Sequence, residues 1–261
     1  MTYPKMKITP YCLFILALLA LMFNGCDDED SNPKPQRKSI AMSHGEFHYT
    51  ILHYDDSDRI MRIVNGLIDD QSDSVEMIFY VIYNGPNIQR ITAEDESQVF
   101  QYRYNDDRRM IETREYANGR VAFLHSFIYN EAGKVDAWMT KAIDGDNETP
   151  ISRKFYTYDE SGNATSMELE NYDPVTRGYA LVSNSQFLDF DNKKNSSSLF
   201  LNFINPYHVQ FENNARVWRI QNANGSVGET KYEYEYNADG YTTSQRDIEG
   251  ELEILYSFDL P

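Results

Sequence analysis

Cysteine is nearly missing from this 261-residue chain, which has two, Cys12 and Cys26. A disulfide framework is therefore excluded beyond residue 26, and the folded part must be stabilised by its core alone. Long apolar runs are as scarce. The longest, Tyr11 to Phe23, has 13 residues, short of the roughly 20 that a bilayer-spanning helix needs. Basic residues are few, 24 against 41 acidic, for a net charge of −17. That balance argues against electrostatic binding to phosphate backbones, so no nucleic-acid partner is expected. No stretch beyond the first 25 residues holds a 3.6-residue apolar period, so helix should be rare. A Gly-x-Ser-x-Gly elbow, a phosphate-cradling glycine loop and a cysteine nucleophile are all wanting. No catalytic residue, metal ligand or cofactor is assigned.

What is present begins with an address. Lys5 and Lys7 precede the apolar run, and Asn24, Gly25 and Cys26 follow it, the layout of a secretory signal over residues 1–25. The Gly25-Cys26 pair resembles the lipobox of bacterial lipoproteins, in which cleavage before the Cys is followed by acylation of its thiol. Cys26 is thus the expected lipid-attachment residue. Asp27, Asp28, Glu29 and Asp30 come next; this cluster is similar to the export signal that sends lipoproteins of Bacteroidota-type bacteria to the outer face of the outer membrane. Residues 26–39, polar and with Pro33 and Pro35, read as the acylated Cys and a solvated tether.

The remainder, residues 40–261, is repetitive. An aromatic anchor recurs at Tyr54, Tyr83, Tyr104, Tyr129, Tyr158, Phe190, Phe211 and Tyr236, most often followed by Asn or Asp. Two residues before each anchor stand Leu52, Val81, Tyr102, Phe127, Tyr156, Leu188, Val209 and Tyr234. In the clearest copy Tyr232, Tyr234 and Tyr236 alternate with Lys231, Glu233 and Glu235. A period of two marks half-buried strands, rings on one face and charges on the other. Gly133, Gly162 and Gly240 lie four past their anchors, where a positive φ would close a short hairpin loop. Apolar residues return six past the anchor at Ile60, Met110, Val135 and Val217, and nine past at Ile63, Trp138, Met167 and Ile220. A spacing of three fits either a bulge after the turn or two positions on opposite faces.

The anchor intervals of 29, 21 and 25 nearly recur as 32, 21 and 25, which suggests two halves, 40–143 and 151–261, joined through residues 144–150. A single amphipathic sheet cannot leave its aromatic face in water. The expected fold is therefore all-β, an antiparallel meander of about eight hairpins, curled as a barrel or spiral or packed as two layers.

The run from Tyr158 to Met167 resembles the tyrosine-aspartate (YD) repeat of Rhs-type bacterial surface proteins, with weaker copies at Tyr129 to Trp138 and Tyr236 to Gln245. With the N-terminus, the chain is similar to repeat-bearing surface lipoproteins of Bacteroidota. The resemblance implies a hairpin array with extracellular binding or scaffolding, and it carries over no catalytic residue.

Other clusters have plainer readings. His44, His48 and His53 fall within ten residues, but His48 and His53 have opposite strand parity, against a shared metal. Asp144, Asp146 and Glu148 could face Ca²⁺, yet Thr149 stands where an EF-hand loop needs glycine. Asp55, Asp56 and Asp58 are explained by hydrogen bonds within a turn. Trp138 and Trp218 sit at repeat positions that a core would use. The reading is an outer-membrane, surface-exposed lipoprotein, anchored to the membrane by lipid only, that binds a glycan or a surface protein without catalysis. The alternatives are a carbohydrate-active enzyme with paired carboxylates and a purely structural envelope protein.

Overall fold

The computed structural model describes residues 39–44, 48–68, 74–197, 199, 211–250 and 252–258. The signal segment, Cys26, the acidic cluster and the tether lie outside the described residues. Sixteen strands follow in chain order: β1 Ser39–His44, β2 His48–Tyr54, β3 Ile60–Ile68, β4 Ser74–Asn84, β5 Asn87–Ala93, β6 Gln98–Tyr104, β7 Met110–Ala117, β8 Arg120–Tyr129, β9 Val135–Asp144, β10 Asn147–Tyr158, β11 Ala164–Asp173, β12 Gly178–Phe190, β13 Ala215–Asn222, β14 Val227–Tyr236, β15 Thr242–Asp247 and β16 Glu253–Phe258. Each pairs antiparallel with its neighbours in sequence, and β16 pairs with β1, so the meander closes into a barrel. Every pairing of that barrel is contained in the chain from Gln36 onward.

The repeat chemistry is legible in the turns. After the anchors Tyr54, Tyr104, Tyr129, Tyr158 and Tyr236, the next residue is Asp55, Asn105, Asn130, Asp159 or Asn237, and its Oδ1 accepts a backbone N–H from four residues on, at 2.9 to 3.0 Å. The short side chain thereby closes its own turn, which is why Asn or Asp follows the ring. The position four past the anchor has φ of 79°, 87° and 80° at Gly133, Gly162 and Gly240, and the same left-handed geometry is imposed on Asp58 and Arg108, with φ of 57° and 62°.

The spacing of three is a bulge. Tyr54 opposes Ile60 while Leu52 opposes Ile63, with a register shift between them. Corresponding shifts follow Ile82, Arg103, Ile128, Thr157 and Glu235. One extra residue per hairpin brings both apolar positions to the same inner face.

That inner face is the core. Leu52, Ile60, Ile63, Phe79, Ile91, Tyr102, Phe127, Val135 and Tyr156 belong to one buried cluster that also takes in Met42 from β1 and Tyr256 from β16. Full burial of each such side chain is worth about 1.5 to 3 kcal/mol. Successive repeats are tied by the anchor hydroxyls: Tyr83 donates to the Ile60 carbonyl at 3.0 Å, Tyr104 to Ile88 at 2.8 Å, Tyr129 to Met110 at 2.6 Å and Tyr158 to Val135 at 2.7 Å. Each acceptor is the residue paired with the preceding anchor, so a ladder of tyrosines runs around one end of the barrel.

The outer face is mixed: Ile82, Ile128, Phe155, Leu188 and Leu255 are exposed there among cross-strand ion pairs. Cross-strand pairs join Arg103 to Glu112 at 2.8 Å, Arg219 to Glu229 at 2.7 Å and Arg246 to Glu233 at 2.8 Å, and Arg153 to Glu170 likewise.

Two expectations need correction. Phe211 ends no strand: it lies in the connection between β12 and β13, with its ring 4.9 Å from Phe187 and 5.8 Å from Phe190. Its two-before partner Val209 lies outside the described residues. The eighth strand pair is formed by the two ends of the repeat region, β16 and β1, with Phe258 opposite Ile40. Leu188, two before Phe190, faces outward beside Val217 because the inner position is taken by Phe187, which is buried against Trp218. Residues 144–150 sit inside a continuous hairpin in which β9 and β10 pair from Asp144 and Asn147 onward.

Candidate functional site

The interior changes character along the barrel axis. Counting back from the anchors in steps of two stays on the inner face, and two before them stand Leu52, Val81, Tyr102, Phe127 and Tyr156, all apolar or aromatic. Four before, the layer is mixed: Thr50, Phe79, Phe100, His125 and Lys154. Six before lie His48, Met77, Gln98, Phe123 and Ser152, of which His48, Met77 and Phe123 are exposed. Beside Met77, Val75 is 68 % exposed and Leu67 48 %, although both have inward parity. The barrel is thus filled near the tyrosine ladder and solvent-accessible toward the opposite rim.

The filled end is capped. After β12 the chain crosses to other turns: Asn163 Oδ1 accepts the backbone N–H groups of Glu212 and Asn213 at 3.0 and 2.8 Å. Lys134 is ion-paired with Glu212 at 2.6 Å. Thr242 and Ser196 are both buried; Thr242 donates to Asn214 Oδ1 at 2.8 Å, and Ser196 donates to the Thr242 carbonyl at 2.6 Å. Leu199 packs on the apolar cluster. Tyr236 completes this network by donating to Asp191. Buried polar groups so fully paired make a rigid closure.

The mixed layer holds three ionisable groups of the inner wall, placed by β7 to β10. His125 Nδ1 is 3.1 Å from the Thr140 hydroxyl, and its Nε2 is 3.6 Å from Glu115, which accepts a 3.1 Å hydrogen bond from Gln98. The neighbouring His125 imidazole holds the Glu115 carboxyl below the usual carboxylate range. Trp138 Nε1 points at His125 Nδ1 from 3.3 Å. Lys154, opposite Trp138 across the β9–β10 ladder, has its Nζ 4.0 Å from the centre of the Trp138 ring. Burial pushes its ammonium down to about 8. No carboxylate pairs with Lys154 among the described residues.

Outside, a groove of about 550 Å³ over β13 to β16 is lined by Arg216, Lys231, Glu233, Glu235, Arg246 and Glu253 among others. Its glutamates are exposed, and Glu233 is bound to Arg246. None has the apolar surroundings that tune a general acid.

The sequence-derived residues are therefore dispersed. The Tyr54 to Tyr158 anchors and Tyr236 cluster at the capped end with Gly133, Gly162 and Gly240, as structural parts. His48 and His53 lie on opposite faces of β2, and Asp55 caps its turn by accepting the Ser57 and Arg59 N–H groups. Lys154, His125 and Glu115 were not singled out by sequence reasoning. Parity counted back from Tyr158 and Tyr129 would have flagged a lysine and a histidine on the apolar face.

No family model matches the chain, and no curated protein matches it either. Among solved structures it is similar in fold to a porin-like protein from Bacteroides uniformis, at 15 % identity and a TM-score of 0.59 over 87 % of this chain and 99 % of that one. A porin-like protein from Bacteroides vulgatus is also similar, at 12 % identity and a TM-score of 0.56 over 85 % and 98 %. The TcdB2-TccC3 structure superposes only at a TM-score of 0.33, too far to bear on the YD resemblance. These likenesses bear on the fold, an all-β barrel that the two porin-like chains share over nearly their whole length.

Proposed function

We propose that this chain is a lipoprotein of the outer membrane, held at the cell surface by acylated Cys26, whose barrel stands in water as a non-enzymatic binding module. The observation that carries this reading is the wall itself: an apolar buried cluster inside, cross-strand ion pairs among the exposed side chains outside, one end capped and the other open. On a lipid-facing wall each Arg or Lys at the bilayer midplane costs about 2 to 4 kcal/mol. The porin-like names of its structural neighbours fit an outer-membrane setting, while the filled and capped interior favours a cup over a channel. Exposed, ion-paired glutamates in the outer groove favour binding over glycoside hydrolysis.

The test combines two measurements. Metabolic labelling with a fatty-acid analogue should tag the parent chain and not the Cys26→Ala variant, and protease added to intact cells should digest the barrel. The chain from Gln36 onward should bind members of a glycan or surface-protein array without turnover, and should give reconstituted vesicles no ion conductance. An unlabelled parent, or a conducting vesicle, would overturn the reading.

A further inference from the structure

Among the described residues the inner wall carries one cation without a counter-ion. Lys154 stands one layer inside the exposed rim, and its ammonium rests on the Trp138 ring at 4.0 Å. Its cross-strand neighbours are Trp138 on β9 and Leu169 on β11. Along its own strand comes Tyr156, whose hydroxyl burial keeps protonated. Beyond Trp138 come His125 and Glu115, which stand 3.6 Å from each other. Two more donors farther around the same wall are buried without an acceptor: the Ser185 hydroxyl on β12 and Trp218 Nε1 on β13. Ser185 has inward parity through its pairing with Met167, which opposes Tyr156. A desolvated, unpaired cation costs stability unless a ligand compensates it. Rimward of it on the inner face stand Ser152, Thr140 and Asn171, while from its Trp138 platform a run of rings passes through His125 to Phe123, which is exposed at an inward position of the rim.

We propose that the open end of the barrel binds a single-chain amphiphile with an anionic head, such as a medium-chain carboxylate, its head on Lys154 and its tail along the ring run from Trp138 to Phe123. Charge complementarity selects the head: all three unpaired groups are hydrogen-bond donors, and only Ser185 could also accept. The Trp138 and Phe123 rings select the tail. This inference rests on the binding-module reading and specifies what that module holds.

The chain has two tryptophans, Trp138 and Trp218, so Trp218→Phe leaves Trp138 as the sole indole, in contact with the cation. Decanoate titrated into the chain from Gln36 onward should give a saturable change in Trp138 emission, while acetate and decanol should not. Lys154→Met, of similar length and without charge, should weaken decanoate binding roughly tenfold or more, and Lys154→Arg should retain most of it. In the parent, affinity should fall as pH rises through about 8, because the neutral amine no longer attracts the carboxylate, which supplies a check independent of any variant. An equal response to decanol, undiminished binding by Lys154→Met, or no saturable response from a folded parent would overturn the proposal. Failure here with intact lipid labelling and surface exposure removes only the ligand; an unlabelled chain removes the functional reading, whether or not decanoate binds.

Discussion

The Tyr129 hydroxyl donates to the Met110 carbonyl at 2.6 Å, and Met110 is the residue paired with the preceding anchor, Tyr104. A side chain from one repeat thus satisfies the bulged backbone of the repeat before it. This relation recurs at Tyr83, Tyr104 and Tyr158, and it couples neighbouring hairpins at the end where their turns converge.

Tyr129→Phe should therefore destabilise the barrel by about 1 to 2 kcal/mol, since it removes one hydrogen bond and leaves a half-buried carbonyl short of a donor. The shift in urea midpoint at unchanged slope measures it. No shift would show that the ladder accompanies the fold without supporting it.

Arg108 occupies, at φ 62°, the turn position that Gly133, Gly162 and Gly240 fill elsewhere. Arg108→Gly should stabilise by up to about 1 kcal/mol, the relief of left-handed strain exceeding the added chain entropy. Gly133→Ala should do the opposite. Thermal midpoints of the pair, measured side by side, would reveal the opposed signs.

Asn163 is 1 % exposed and accepts two backbone N–H groups from the capping segment. Asn163→Leu should cost about 2 to 4 kcal/mol by stranding those donors. Hydrogen exchange should accelerate at residues 211–214 before it does in β2 to β9. Uniform acceleration would mean that the cap and the barrel open together.

Alkaline pH should unfold the protein. Burial raises the Tyr54, Tyr104 and Tyr129 hydroxyls to about 12. An acid whose pKa is raised on folding stabilises fully below its unfolded value near 10 and loses that contribution as pH climbs through the folded one. Tyrosinate absorbance should then rise together with loss of β circular dichroism between about pH 10 and 12. Gradual ionisation of an intact barrel would contradict this.

Lys154 works in the other direction. A base lowered on folding penalises the native state at all pH values below its folded value of about 8, and the penalty fades as pH rises toward the unfolded value near 10.4. Lys154→Met should accordingly stabilise the unliganded protein at pH 7 by about 1 to 2 kcal/mol, and this gain should shrink at pH 10. A variant no more stable than the parent at pH 7 would show that the ammonium is well solvated in place.

The local chemistry was determined by the sequence. Rings at period two, Asn or Asp after the ring and glycine four past it describe a hairpin whose bonds form within about a dozen residues, so Tyr129 to Trp138 or Tyr158 to Met167 can be read without knowing their neighbours. The bulge could be read only as one of two options, because choosing between them requires the opposing strand. Closure, the cap and the candidate site were decided by tertiary structure alone. β1 and β16 meet because an aromatic inner face must be shielded from water and free edges must be paired. Phe211 mimics an anchor in sequence but belongs to the capping connection, through contacts with Phe187 and Phe190. Parity counted back from Tyr158 puts Lys154 on the apolar face of β10, but only closure of the barrel buries that face. Burial and the lack of a counter-ion are properties of what surrounds a residue in space, and there the surroundings come from strands up to some sixty residues away along the chain.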